Sequence, residues 1–179
     1  MIAVAILTLA VSGAFLAANS ALVAAELTRD QLIASYLAQE GIEYVRMVRD
    51  DAFLANYPDK TSQAWAAFLS EMGADGCNTA VNAKGCELDP VSQPGTSPLT
   101  ACTSSTASST GCGQLYLAST TAYTLQSSGN TPTPYTREIW ATDKTFGSEK
   151  DEQISSKVSW EFHGQPYSIT VTDDLTPWQ

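Results

Sequence analysis

Few residues of this sequence have the types and spacing that catalysis requires. The one histidine, His163, stands in the stretch HGQP, which is typical of an exposed turn. With its one histidine in a turn, and with cysteines that we expect to be oxidised, the sequence offers no credible Ser-His-Asp or Cys-His site. Glu40 and Glu43 could be mistaken for an acid–base pair, but ion pairs with the nearby Arg46 and Arg49 on a helix explain them better. We therefore predict that the protein is not an enzyme and has no catalytic residues.

Candidate ligand sites are equally sparse. Several carboxylates near the predicted strand loops could bind calcium but lack the spacing of a known calcium loop: Asp143, Asp151, Glu152, Asp173 and Asp174. The sequence has no glycine-rich phosphate-binding motif. The formal net charge is −10, with only nine Lys and Arg residues, which argues against nucleic acid as a partner. We predict no cofactor, no metal site and no nucleic-acid partner.

The four cysteines fall into two close pairs. Cys77 and Cys86 enclose NTAVNAKG, and Cys102 and Cys112 enclose TSSTASSTG. Four cysteines allow three connectivities, of which we favour near-neighbour pairing because it requires the least rearrangement of the chain. Each closed loop would then contribute about 2–3 kcal/mol to the free energy of unfolding. Zinc binding is the rival interpretation, but the CxxC-like spacing typical of zinc sites is missing. Disulfides would indicate an oxidising compartment.

The first 25 residues contain no charged side chain. As a helix they would span roughly 38 Å, whereas the hydrocarbon core of a bilayer is about 30 Å thick. Such a segment could be a signal peptide, a single-pass anchor, or a helix that leaves the membrane and packs against copies of itself. A signal peptide is disfavoured because a basic n-region is missing and the apolar run exceeds about 15 residues. The many small residues favour packing between copies, since they let helix backbones approach closely.

Helical patterning continues beyond Glu26. The sequence has no proline before Pro58, and apolar or small residues recur at steps of three or four along one helix face: Ile33, Leu37, Gly41, Val45, Val48 and Ala52. We therefore predict one helix of about 50 residues. Its first half is apolar all round, and its second half is amphipathic and should lie on a globular domain.

The rest of the chain is predicted to form this domain. A second helix is expected at 61–72, with its apolar residues packed on the long helix, and a surface loop at 90–112. Strands are expected within 114–126 and 134–142. The clearest hairpin has alternating apolar residues on both sides of HGQP: Val158, Trp160 and Phe162, then Tyr167, Ile169 and Val171.

An apolar half-helix, continuous with an amphipathic half that carries a small β-rich domain, resembles a type IV pilin or pseudopilin. The stretch YLAQEGIEYVRMVRDD (36–51) resembles a recurring phrase of bacterial pilin-like proteins with prepilin-type leaders. The stretches TPYTREIW (133–140) and SSKVSWEFHGQPYSITVTDDLTPW (155–178) add to this resemblance. It covers both ends of the chain, whereas residues 72–130 match nothing recognisable.

The sequence departs from the pilin pattern at its start. Such proteins usually carry a basic leader, a small-residue cleavage point, and a glutamate a few residues into the mature helix. By alignment of the apolar run, Met1 falls slightly beyond that glutamate. We expect a missing upstream segment, and the alternative is a subunit that lacks the glutamate.

The resemblance implies an α+β fold of the type IV pilin kind. The long N-terminal helix would have an apolar, protruding half at 1–25, a transmembrane or filament-core helix. Its amphipathic half, at 26–57, would pack on a small antiparallel β-sheet. Residues 58–179 would form the globular head, with disulfide-stapled loops at 72–113 and C-terminal antiparallel strands at 114–179.

The implied function is that of a structural subunit of an extracellular, type IV pilus-like filament at the cell surface. The precursor would sit in the cytoplasmic membrane and form a homo-oligomeric helical filament with the help of the pilus assembly machinery. Adhesion to a surface or cell receptor is compatible with this function. The alternatives are a minor pilin or pseudopilin of a secretion or pilus-tip complex, and a singly acting, membrane-anchored binding domain such as an adhesin. Residues of the first helix are expected to pack in the filament core: Ile2, Val4, Ile6, Leu7, Leu9, Val11, Gly13, Ala14, Phe15, Leu16, Leu22 and Val23.

Overall fold

The structure, a computed structural model, describes most of the chain. The described ranges are 2–57, 61–74, 76–78, 85–91, 98–102, 112–118, 122–146 and 149–177. Side chains are described throughout these ranges except at 2–11, 14, 61, 74, 145–146 and 149–150. The chain divides into two compact units, Met1–Ile33 and Ala34–Gln179. The predicted domain boundaries after residues 25 and 57 rest on composition and remain predictions.

The first element is one long helix, α1 (Ile2–Ala55). It agrees with the predicted helix and ends just before Pro58, which cannot continue a helix. The last turn is closed by Asn56, whose Nδ2 donates to Ala52 O at 2.8 Å and whose backbone N donates to Phe53 O at 3.2 Å. These bonds satisfy carbonyl groups that the end of a helix leaves unpaired.

The amphipathic part of α1 packs on the globular domain as its pattern predicts. Within the second unit, residues of the predicted stripe are buried: Leu37, Gly41, Val45 and Val48. A neighbouring row on the helix is also buried, at Ala34, Ala38 and Ile42. Together the two rows give α1 an apolar face wide enough to cover the sheet and the second helix.

The second helix, α2 (Thr61–Ala74), ends two residues later than predicted. Trp65, Phe68 and Met72 are buried in the same core as Val45 and Val48 of α1. The spacing of three and four residues places these side chains on one face of α2. The apolar face of α2 therefore belongs to the same core as the amphipathic part of α1.

Seven strands form one antiparallel sheet in the part of the chain that the structure describes. Their bounds are β1 (Cys86–Leu88), β2 (Leu99–Ala101), β3 (Gln114–Leu117), β4 (Tyr123–Thr124), β5 (Thr131–Phe146), β6 (Glu149–Phe162) and β7 (Gln165–Leu175). The order along one path is β2-β1-β5-β3-β4, with β6 on the other edge of β5 and β7 beside β6. The fold is thus α+β, with a long N-terminal helix and an antiparallel sheet.

The predicted hairpin is present as β6 and β7. Phe162 pairs with Gln165 across a turn made by His163 and Gly164, both of which have positive φ. Val158 is fully buried and Trp160 nearly so, which confirms that the alternating apolar residues form the inner face. The sequence predicts this hairpin better than the rest of the sheet, because apolar residues alternate regularly over both of its strands.

The strands expected within 114–126 are present as two short strands, β3 and β4, paired with each other. Two other predictions need correction. Strand β5 begins at Thr131, three residues before the predicted start at 134, and so includes Pro132 as well as Pro134. Both prolines are tolerated because β6 first pairs with β5 at Thr136, which leaves one edge of β5 without a partner strand at the prolines. The predicted surface loop at 90–112 contains strand β2.

The core lies between α1, α2 and the inner face of the sheet. Its fully buried strand residues include Leu88, Ile139, Ile154 and Ala141. Leu99 of β2 is also only 2% exposed, so part of the Pro/Ser/Thr-rich region contributes to the core, contrary to the expectation of a pure surface loop.

Across the residues described, no helical segment is both long enough and apolar enough to span a bilayer. The predicted membrane segment, residues 1–25, includes the side chains of 1–11 and 14, which lie outside the described part. Its insertion in a membrane remains a prediction.

Candidate functional site

The N-terminal part of α1 exposes large apolar side chains. Phe15 is 75% exposed, Leu16 is 69% exposed and Leu22 is 66% exposed, while Val23 is half-buried. Since a helix advances about 100° per residue, Phe15 and Leu22 form one row and Leu16 and Val23 form a second row. Ser12 and Asn19 lie between the two rows, so the large apolar side chains on this side of the segment flank a narrow polar strip.

The opposite side of the same segment carries only small residues. Gly13, Ala17, Ala21 and Ala24 follow one another at steps of four, four and three, and all are exposed. A Cβ atom added at Gly13 would meet nothing within 4 Å. The segment thus presents a bulky face and a flat face, and flat faces allow close approach of a second helix.

For the remaining predicted filament-core residues, the structure describes only the helical backbone. Ile2, Val4, Ile6, Leu7, Leu9 and Val11 belong to α1, as does Ala14, but their side chains lie outside the described part. Their packing role remains a prediction. We call the described members of this region, residues 12–13 and 15–25, the exposed helix segment.

Glu40 and the arginines of α1 are arranged differently from the sequence prediction. Arg46 pairs with Glu43 at 2.7 Å, as expected for residues three apart, but also with Asp173 of β7 at 3.0 Å. The hydrogen bond to Asp173 raises the pKa of Arg46. Glu40 instead pairs with Arg137 of β5 at 2.6 Å. Apart from the local pair with Glu43, these bridges fasten α1 to the sheet and form no acid–base pair.

Arg137 is fully buried, and sequence reasoning missed it. Its Nη1 donates to Leu37 O at 3.0 Å and to Glu40, while its Nη2 donates to Leu88 O at 3.2 Å. Burial lowers the pKa of the guanidinium despite the adjacent carboxylate of Glu40. The signal was present in the sequence, because Tyr135, Arg137 and Ile139 alternate and therefore share the inner face of β5.

Close packing around Arg137 depends on a glycine of α1. A Cβ atom at Gly41 would lie 2.5 Å from Ser156 Oγ and 3.4 Å from Arg137 Cδ. Only a residue without a side chain lets the helix approach β5 and β6 this closely.

Two carboxyl groups meet at the far end of the β5–β6 hairpin. Asp143 and Glu152 are cross-strand partners, and the Asn78 amide nitrogen donates to Asp143 Oδ1 at 2.9 Å and to Glu152 Oε1 at 3.2 Å. Glu152 is 1% exposed. Burial, together with the hydrogen bond and the like charge of Asp143, raises the pKa of Glu152 to about 8.

The other candidate ligands do not form a site. Asp151 and Asp174 lie on the outer face of the hairpin, away from Asp143 and Glu152. In the described part of the chain, no group of three or more His, Cys, Asp or Glu side chains could hold a metal ion. His163 is exposed at the hairpin turn, where its ring stacks on Phe162 at 4.2 Å between centroids.

The cysteines are joined as near neighbours. Disulfides link Cys77 to Cys86 and Cys102 to Cys112. The first one lies in the core, where both cysteines are fully buried, and ties the segment after α2 to β1. It therefore covers apolar surface in addition to closing a loop.

The fold and the site define an α+β protein whose described surface carries an exposed apolar helix segment. Comparison of the chain with protein-family models, with curated proteins and with solved structures finds no match.

Proposed function

We propose that the chain is a structural subunit of an extracellular, type IV pilus-like filament that polymerises through its N-terminal helix. The observation that carries this proposal is the exposed helix segment, in which Phe15, Leu16 and Leu22 are each at least 66% exposed. An apolar surface of this kind on a single chain marks a place where another molecule binds.

A second copy of the chain is the occupant that the segment favours. Its bulky face, with Phe15 and Leu22, complements its flat face, with Gly13, Ala17 and Ala21. Packing of two different faces is a heterologous contact, and such contacts generate open helical polymers where the rotation does not close. A two-fold symmetric dimer would instead require the same face of both copies to pack together.

Burial of the segment supplies the driving force for assembly. Each large apolar side chain removed from water contributes about 1.5–3 kcal/mol. The gain is smaller where the starting point is lipid, since packing and close approach then replace the hydrophobic effect. We place the precursor in the cytoplasmic membrane before assembly, because the first 25 residues contain no charge. The acidic domains would then coat the filament.

Electron microscopy of material sheared from the cell surface, with peptide identification of any filaments, tests this proposal directly. Thin filaments made mostly of this chain are the expected result. Filaments with only traces of it would make it a minor subunit, and its recovery only as membrane-bound monomers would overturn the filament proposal in favour of an anchored binding domain.

A matched pair of variants tests the packing argument. Ala17→Phe adds bulk to the flat face, whereas Leu16→Phe exchanges one large apolar side chain for another on the bulky face. Both variants keep the segment apolar, so both should reach the membrane equally. We expect Ala17→Phe to lose filaments and Leu16→Phe to keep them, and equal assembly of the two would contradict close helix packing at the flat face.

A further inference from the structure

The carboxyl pair on the β5–β6 hairpin has a geometry that ordinary ion pairing does not explain. Glu152 is 1% exposed and its cross-strand partner is another carboxyl residue, Asp143, which is exposed. Directly opposed side chains in an antiparallel sheet have Cβ atoms about 4.5–5.5 Å apart. Two ionised carboxylates at this distance, one of them buried, repel each other strongly.

No cation among the described side chains forms an ion pair with Asp143 or Glu152. Lys150 stands two residues before Glu152 on β6, and its side chain lies outside the described part. On β7, Asp173 shares the inner face but is paired with Arg46 of α1 at 3.0 Å. Arg49 of α1 pairs with Asp50 at 2.8 Å. The only charged residue of α2 is Glu71, which carries the same sign as the pair.

The amide of Asn78 connects this pair to another part of the chain. Asn78 follows Cys77, whose carbonyl oxygen accepts a hydrogen bond from Ala141 N of β5 at 2.8 Å. Asn78 itself forms an isolated parallel bridge with Ala141. The Cys77 N–H in turn donates to Met72 O at the end of α2, at 2.9 Å. The segment 76–78 is therefore held against β5 by its backbone and by the Asn78 side chain.

We propose that Glu152, Asp143 and Asn78 form a proton-dependent latch that fastens the segment after α2 to the β5–β6 hairpin. One carboxyl oxygen of Glu152 carries the proton and donates it in a hydrogen bond to Asp143. The Asn78 amide donates its two hydrogens to the remaining oxygens, Glu152 Oε1 and Asp143 Oδ1. When the proton is lost, two carboxylates face each other and the segment loosens.

The sign of the pH dependence follows from linkage. The pKa of Glu152 rises from an ordinary 4.5 to about 8 on folding, so the folded state binds one more proton than the unfolded state between these values. Its contribution to stability is complete below pH 4.5 and is lost as the pH rises to about 8. Within this window the unfolding equilibrium constant should rise by up to about tenfold per pH unit, and above it this dependence should end.

Glu152→Gln is the decisive variant, because glutamine can donate to Asp143 and accept from Asn78 at every pH. Glu161→Gln, at an exposed position of the same strand, is the matched control. Denaturant unfolding from pH 5 to 9.5 should show the steep loss in the wild type and in Glu161→Gln but not in Glu152→Gln. Parallel curves for the wild type and Glu152→Gln would overturn the latch.

Two local measurements on the wild type remain decisive if Glu152→Gln does not fold. Carbon-13 NMR of the Glu152 side-chain carboxyl should show titration near pH 8, and titration below pH 5 would overturn the latch. Exchange of the Ala141 amide, corrected for its intrinsic pH dependence, should accelerate as this titration proceeds. Unchanged protection of that amide would show that the carboxyl pair does not control the segment.

Discussion

Replacement of Arg137 by methionine tests whether the buried guanidinium organises the contact between α1 and the sheet. Methionine has a similar length but no hydrogen-bond donor. The change leaves the carbonyl oxygens of Leu37 and Leu88 without this donor, and it leaves Glu40 without its cation. Leu37 O keeps its helical hydrogen bond, so the larger cost falls on Leu88 O, for which a lost partner costs about 1–3 kcal/mol. Because the Glu40 side chain remains 36% exposed, water can solvate its carboxylate and limit the further loss.

The expected loss in the free energy of unfolding is therefore about 3 kcal/mol, near the lower end of the range for breaking one half of a buried ion pair. For a chain of this size it should lower Tm by roughly 6–12 °C. Urea unfolding followed by far-UV circular dichroism measures the loss, and the m-value shows whether the unfolding remains two-state.

Two conservative variants separate the contributions of charge and geometry. Glu40→Gln keeps an acceptor but leaves the fully buried guanidinium without its paired carboxylate, so we expect a loss of about 3 kcal/mol here too. Arg137→Lys keeps the charge, but its compact ammonium cannot replace the planar fork that reaches three acceptors, so its loss should be smaller than that of Arg137→Met but measurable. A loss below about 1 kcal/mol for Arg137→Met or for Glu40→Gln would refute the reasoning.

Three further changes have expected outcomes in denaturant unfolding. Gly41→Ala should destabilise by about 1–2 kcal/mol despite its better helix propensity, because its Cβ would lie 2.5 Å from Ser156 Oγ. Adding Ser156→Ala should recover part of this loss, and no recovery would place the strain elsewhere. Gly113→Ala should lower the free energy of unfolding by about 3 kcal/mol or more, because φ at Gly113 is +78° and the new Cβ would overlap the backbone of β5. A smaller loss would contradict this geometry. Replacing both Cys77 and Cys86 by alanine should lower the free energy of unfolding by about 3–5 kcal/mol, because both the cross-link and the buried sulfur atoms are lost. If reduction of the wild type costs as much as this double replacement, the buried sulfur atoms contribute no packing energy.

The elements that could be predicted from the sequence are those with a regular period. The long helix and the β6–β7 hairpin each carry an apolar pattern over many residues, at periods of about 3.6 and 2, respectively. Strands β1 and β2 have three residues each and therefore show no period. They form because Cys86 and Leu99, among other residues, fill the core, and this depends on partners distant in sequence.

Side-chain pairs could be predicted only where they are local. The Glu43–Arg46 pair follows from spacing along one helix, whereas Glu40 pairs with Arg137, 97 residues away. The carboxyl pair was considered only as part of a calcium site, because its members are nine residues apart and meet through the register of the β5–β6 hairpin. That register was not predicted although the intervening Gly-Ser pair is typical of a hairpin turn, because the flanking stretches TDKTF and EKDEQ are polar and lack the apolar alternation that marks strands.

The position of β7 has a consequence for how copies of the chain can associate. Among the described strands β7 pairs with β6 alone, so its outer edge offers unpaired backbone groups to any neighbouring copy. A filament would hold these edges at high local concentration, which is the condition under which strands add to strands and cross-β aggregates grow. Pro166 near the start of β7 has no N–H to donate, and the exposed Asp174 near its end places a like charge on any copy that approaches. The edge thus carries features that oppose amyloid-like strand addition between copies.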